Sequence, residues 1–237
     1  MNIGVMAAAT TTTISSTLAV VLICAASLVA TGAGAGAGGH HLEPNDLVAK
    51  TCATVTRRHY RGPGLTRQFC ESALRSDKRS AAARDARDLA LVAMDLVQSG
   101  AAEAGAKVGG ALRSGGAAAR WSKYTTLRLQ YCRQDHDDVA STAPNCRALV
   151  REYNPRAGGG RHGSGNLTPF EYLECAGRLV HAADDCWVHM LDQDGAAKKA
   201  VWKEIVEVAS RANLAKAMVE QMWENCLGRL GHNQATA

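Results

Sequence analysis

The chain has 237 residues, 46% of them hydrophobic but only 5% aromatic, enough for one core-forming domain with a small appendage. Its net charge of +5 is confined to one stretch: Lys50, Arg57, Arg58, Arg61 and Arg67 lie between Leu47 and Cys70 with no acidic residue, and the other 22 basic residues balance 22 acidic ones. Tyr60 and Phe69 are the only aromatics there, which argues against a nucleic-acid surface, since that needs stacking groups as well as charge.

Residues 1–37 carry no charged side chain, and Thr17–Ala30 is an apolar run of 14 residues followed by small residues up to Ala37. A membrane span takes about 20 apolar residues, so the run reads as a signal peptide and not as an anchor. It predicts export, with cleavage after Ala33, Ala35 or Ala37, a folded domain over 38–230 and a short tail over 231–237. Exported chains pair their cysteines. Discounting Cys24, seven remain (Cys52, Cys70, Cys132, Cys146, Cys175, Cys186 and Cys226), so one is left over.

The segment Leu42–Leu74 is interrupted by the turn signal Gly62-Pro63-Gly64. It predicts two short helices in a hairpin closed by Cys52–Cys70. A helical pattern then runs from about Ser80 to Ser99, and an Ala/Gly-rich stretch at 100–119 follows it as separator or extension. The next pattern covers Trp121–Tyr153, with apolar or Cys positions at 121, 124, 127, 131, 132, 139, 143, 146, 150 and 153. Pro144 inside it is expected to kink or break the helix, because proline lacks the N–H donor and clashes with the preceding turn. After the glycine-rich loop 154–167, Thr168-Pro169-Phe170-Glu171 supplies an N-cap, a proline at the first helical position and the glutamate of a capping box. The third long helix carries Tyr172, Cys175, Leu179, Ala183, Cys186 and Met190 on one stripe. The fourth carries Trp202, Ile205, Val208, Ala212, Ala215, Val219, Met222 and Cys226, with Gly228 as the expected C-cap. No strand alternation is present. The expectation is an all-α, disulfide-stapled four-helix up-and-down bundle with an N-terminal helical hairpin.

The cysteine spacing fits antiparallel helices. Pairing Cys132 with Cys186 and Cys146 with Cys175 demands registers only three residues apart, about 4.5 Å at a rise of ~1.5 Å per residue. The crossed pairing, Cys132–Cys175 with Cys146–Cys186, demands registers 25 residues apart. Cys226 is then the odd thiol, on an apolar stripe where a buried free cysteine is at home.

Catalytic and metal chemistry find little support. Cys132 with His136, and His181, Cys186 and His189, stand at ligand-like helical spacings. No CxxC pair exists, however, and structural zinc sites draw on close thiolate pairs, so neither metal nor cofactor is expected. The cluster Asp135-His136-Asp137-Asp138 reads as a solvated helix face, and no nucleophile elbow occurs, so no catalytic residue is expected. Trp187, Trp202 and Trp223 read as core or groove residues. The sequon Asn166-Leu167-Thr168 competes with capping by the same threonine.

These features resemble the plant invertase and pectin methylesterase inhibitor family over about residues 45–230. The likeness rests on Thr66-Arg67-Gln68-Phe69-Cys70 followed by Leu74, Asp77 and Ser80, and on Asp88-Leu89-Ala90, Ala93 and Asp95-Leu96. It continues in Leu129-Gln130-Tyr131-Cys132 with Cys186, and in Ser210-Arg211-Ala212-Asn213-Leu214-Ala215, similar to an Asn-x-Leu-Ala signature. The resemblance implies a four-helix bundle with a hairpin and the two family bridges Cys52–Cys70 and Cys132–Cys186. It also implies a secreted, non-catalytic inhibitor of the cell wall or apoplast, with the vacuole second, that binds pectin methylesterase or acid invertase stoichiometrically. Cys146, Cys175 and Cys226 are additions to the family's four, and His136 stands where tyrosine is common. Pro169 and Phe170 occupy the helix start where invertase-type members carry Pro-Lys-Phe and enter the invertase active site; here the lysine is missing. Pectin-methylesterase-type members use the faces of bundle helices instead.

The alternative is a non-inhibitory, wall-associated structural or interaction protein of the same fold that binds acidic pectin through Lys50, Arg57, Arg58, Arg61 and Arg67; a membrane partner is not expected. Replacing Arg57, Arg58 and Arg61 with Gln is expected to weaken retention on a polygalacturonate column and flatten its salt dependence, with the helical fold unchanged. Unaltered elution would mark the stretch as a solvated surface only.

Overall fold

A computed structural model describes residues 44–58, 64–117, 121–153, 169–193 and 195–234, and side chains over 47–57, 64–114, 121–153, 171–193 and 195–224. The leader 1–37, Arg61, the 154–167 loop, the Asn166 sequon and Thr168 lie outside the described residues, as do the side chains of Arg58, Pro169, Phe170 and Cys226. One compact unit comprises 39–153 and 167–224; a second takes in 1–38, 154–166 and 225–237.

The described residues form six α-helices and no strand. In order these are α1 (Pro44–Arg58), α2 (Arg67–Arg75), a 3-10 turn (Lys78–Ala82), α3 (Ala86–Ala117), α4 (Lys123–Glu152), α5 (Pro169–Leu191) and α6 (Ala196–Gln234). In α1, Val48, Cys52 and Val55 recur at helical spacing and are buried. Thr66 caps α2 by accepting from Phe69 N–H at 3.1 Å, and α2 buries Cys70 and Leu74 against the same core. The Cys52–Cys70 disulfide ties the two together as a hairpin.

Helices α3 to α6 run alternately up and down. Asp95 of α3 is ion-paired with Arg147 of α4 at 2.5 Å, while Trp121, just before α4, donates its indole N–H to Ala111 O near the other end of α3 at 2.9 Å. Two disulfides, Cys132–Cys186 and Cys146–Cys175, join α4 to α5 in antiparallel order. Trp187 of α5 stacks on Trp202 of α6, with ring centroids 6.4 Å apart. The circuit closes where Arg211 of α6 donates to Leu96 O of α3 at 3.0 Å and Lys107 lies 3.7 Å from Glu204. The chain is therefore an all-helical, disulfide-stapled bundle.

The structure decides between alternatives at 100–119 and at Pro144, and corrects the end of α6. The Ala/Gly-rich stretch is not a separator, since α3 continues unbroken to Ala117. Alanine carries the highest helix propensity, and Ala101, Ala104 and Val108 keep the helix anchored in the core. Nor does Pro144 break α4. It sits on the exposed side, where water can take over the carbonyl that proline leaves without a donor. Finally, α6 passes Gly228 and runs to Gln234; a helical glycine costs only ~1 kcal/mol, and the good helix formers Arg229 and Leu230 follow directly.

Asp77 organises the junction between hairpin and bundle. It accepts from Arg79 N–H at 2.9 Å, capping the 3-10 turn, and from the Arg79 guanidinium, which also reaches Asp95 at 2.5 Å. The hydrogen bond from Arg79 holds the Asp77 carboxyl below its ordinary range, partly offset by burial. A depressed carboxylate pKa means the unfolded chain binds more protons, so this stabilisation is present above the ordinary aspartate pKa and is lost as pH falls through the folded value. Asp77→Asn is expected to cost ~1–2 kcal/mol at pH 7 in urea denaturation. The gap from the wild type should close as both are acidified through the lowered folded-state pKa of Asp77.

Two glycines make a paired test of the backbone. Gly64, at φ +79°, would place a Cβ 2.2 Å from the Ser210 hydroxyl of α6, so Gly64→Ala combines strain with a clash. Gly110, inside α3, has open space around it. Urea titrations are expected to show Gly64→Ala destabilising by ~1–3 kcal/mol and Gly110→Ala stabilising by ~0.5–1 kcal/mol.

Candidate functional site

The long helix α4 carries two apolar stripes, where the sequence suggested one. Leu129, Cys132, His136, Val139, Ala143, Cys146 and Val150 face the core. Tyr124, Leu127 and Tyr131, expected inside, stand on the surface with 52%, 43% and 46% of their area exposed. Val188 and Leu191 of α5 are exposed to 52% and 42%, and these five are the exposed large hydrophobic residues among the described ones. The antiparallel register brings all five to the same end of the α4–α5 pair, because Cys132 faces Cys186 and Thr125 donates its hydroxyl to Gln193 at 3.1 Å.

This surface is held in shape by polar contacts. The Arg128 guanidinium lies over the Tyr124 ring, 4.8 Å from its centroid, and hydrogen-bonds the Tyr124 hydroxyl. The same guanidinium stands 3.0 Å from His189 Nδ1, and the His189 ring packs on Tyr131 at a centroid distance of 5.4 Å. Burial and the Arg128 charge keep the His189 imidazole below its ordinary pKa. Asp135, 3.7 Å from His189 Nε2, is pushed up to about 7 by burial and by the charges of Asp185 and Asp138. At neutral pH the contact is thus weakly charged at best.

The four-residue cluster 135–138 is therefore only half solvated, contrary to expectation. Asp137 and Asp138 are exposed, Asp135 lies between the helices, and His136 is completely buried. A position one turn from a core cysteine falls on the core stripe whatever its polarity. Burial lowers the His136 pKa to about 4. Its Nε2 lies 3.8 Å from Cys132 Sγ and 3.3 Å from Cys186 Sγ.

The basic stretch is less uniform than its sequence. Lys50 and Arg57 are exposed on α1, but the Arg57 Nε donates to Ala53 O at 2.8 Å, and Arg67 is paired with Glu71 at 2.7 Å. Arg58 belongs to α1 and Pro169 and Phe170 to the first turn of α5, without described side chains. The indoles are half-buried: Trp223 meets Tyr153 edge-on at 5.9 Å, completing a cluster with Tyr172.

A stapled bundle with a hairpin, offering a preorganised surface, defines a scaffold class of helical protein. The chain matches the family model described as plant invertase/pectin methylesterase inhibitor over residues 46–228, and it belongs to that family. Members of the family are inhibitors and not enzymes. Comparison with curated proteins finds no match. Among the described residues no helix is long and apolar enough to cross a membrane.

Proposed function

We propose that the protein is a secreted inhibitor of a cell-wall carbohydrate-active enzyme, that the enzyme is pectin methylesterase, and that the outer face of α4 and α5 is the contact surface. The observation that carries this reading is the gathering of Tyr124, Leu127, Tyr131, Val188 and Leu191 at one end of a doubly stapled helix pair. Aromatic and aliphatic side chains held rigidly at a surface are the groups that dominate interface energies, since little rotamer freedom remains to be lost on binding. Docking through a helix face is the mode that the resemblance assigns to pectin methylesterase inhibitors. The missing lysine between Pro169 and Phe170 speaks against the invertase mode. The leader at 1–37 would deliver the chain to the wall, where no catalysis of its own is called for.

Titration into pectin methylesterase and acid invertase assays, at acidic and at neutral pH, tests the reading. Pectin methylesterase activity is expected to fall to an end point at one inhibitor per enzyme, with invertase unaffected. Leu127→Ala with Tyr131→Ala should weaken inhibition about tenfold or more, equivalent to ~1.4 kcal/mol, and leave the melting temperature unchanged. Phe170→Ala should change neither. Inhibition of invertase that Phe170→Ala abolishes would move the contact to the start of α5. Inhibition of neither enzyme would leave a bundle that binds without inhibiting.

A further inference from the structure

We propose that Cys132, Cys186 and His136 form a latent zinc site, which opens when the disulfide between the two cysteines is reduced. The three ligand atoms lie within 4.8 Å of one another, and all three residues are completely buried. His136 sits where two apolar clusters of the core meet. On α4 it falls between Val139, in the apolar cluster that includes the hairpin, and Cys132, in the cluster at the other end of the bundle. Its Nδ1 has no hydrogen-bond partner, and its Nε2 faces only sulfur. A buried imidazole ordinarily keeps a strong partner, and sulfur is a weak one. This ring is aimed at two potential thiolates and at nothing else.

The distances suit the metal. Tetrahedral zinc, with Zn–S of ~2.3 Å and Zn–N of ~2.0–2.1 Å, implies S···N edges of about 3.6 Å and an S···S edge of about 3.8 Å. The two S···N distances, 3.3 and 3.8 Å, already bracket that edge. Only the sulfurs have to part, which is what breaking their bond permits. Cys132 and His136 are one helical turn apart on α4 and so share a face. Cys186 stays opposite them because Leu129 and Cys132 of α4 and Cys186 and Met190 of α5 belong to one buried apolar cluster. Thiolate and imidazole donors select zinc over magnesium or calcium, and the fourth position falls to a water.

The chemistry balances. A dithiol reductant donates two electrons and two protons, becoming its own disulfide, and Cys132 and Cys186 become thiols. Zn²⁺ then displaces both thiol protons to solvent, and Nε2 supplies its lone pair while the imidazole proton resides on Nδ1. Under reducing conditions the metal thereby replaces the covalent link between α4 and α5.

The test uses the full chain, reduced with a phosphine, whose conversion to the oxide supplies the same two electrons without leaving a competing thiol. One equivalent of Zn²⁺ is added, and pulse alkylation with peptide mass mapping reports each cysteine separately. Cys132 and Cys186 are expected to be alkylated at least tenfold more slowly with zinc than without it, and the other cysteines at unchanged rates. His136→Tyr, which installs the residue that the family resemblance implies is common at this position, should abolish the protection while circular dichroism shows the same helicity. Co²⁺ in place of zinc should give the thiolate charge-transfer and visible bands of a tetrahedral site, and His136→Tyr should remove them. Equal alkylation with and without zinc would overturn the proposal, and so would protection that survives His136→Tyr or that appears only at other cysteines.

Discussion

Everything in this bundle is referred to one constraint, the register of α4 against α5. Two disulfides hold it, at levels 14 residues apart on α4, about 21 Å along the axis. Helices bonded at two such levels can neither slide past each other nor rotate independently. The closed loops are nested, with sequence separations of 29 and 54 residues. Each native bridge contributes ~2–4 kcal/mol, largely by restricting the unfolded chain. That sum is comparable with the ~5–15 kcal/mol that separates folded from unfolded states in ordinary domains. The other two long helices then pack on a fixed pair: α3 through its buried alanines and Val108, α6 through Ile205, Val208 and Ala212.

A fixed register also decides what the surface can be. Tyr131 meets His189, Arg128 reaches both His189 and Tyr124, and Thr125 meets Gln193, all at the end where Cys132 is bonded to Cys186. Exposed apolar groups on mobile helices would cost ordering entropy on binding. Here the covalent bridges and the Arg128 clamp have already removed much of that freedom, so burial of these side chains against a partner returns more of its transfer free energy. The same rigidity keeps five exposed hydrophobic residues from collapsing inward.

Much of this was legible in the sequence. Helical periodicity located the long helices, and the glycine-proline turn together with two cysteines located the hairpin. The near-equal registers of two cysteine pairs carried the antiparallel order of α4 and α5. What escaped was decided by which of two faces wins. On α4 the positions 124, 127 and 131 and the positions 129, 132, 136, 139, 143 and 146 both repeat at helical spacing. Hydrophobicity alone favoured including the aromatic set, while the stapled set, with a histidine in it, is the one the bridges pull inward. Burial of His136 had no local signal beyond its position one turn after Cys132. The end of α6 was misplaced at Gly228 for a similar reason: intrinsic propensity yields to packing along the rest of the helix.

The motif residues that mark the family perform structural work, and this bears on why membership alone does not name a target. Thr66 caps α2, and Asp77 caps the 3-10 turn. Asp95 receives both Arg79 and Arg147. In the last signature, Ser210 sits against the Gly64 turn, where even a methyl group would not fit. Arg211 crosses Gly100 to reach the Leu96 carbonyl, the Asn213 amide donates to Ala209 O, and Leu214 and Ala215 are buried. Thr66, Asp77 and Asn213 serve their own elements, while the contacts of Asp95, Ser210 and Arg211 fasten the hairpin to the bundle or one helix to the next. Under the proposed inhibitory role, selectivity between enzymes would come from residues the motif does not include. Leu127, Val188 and Leu191 on the α4–α5 face meet that condition, being exposed, immobilised through their helices and absent from the signature.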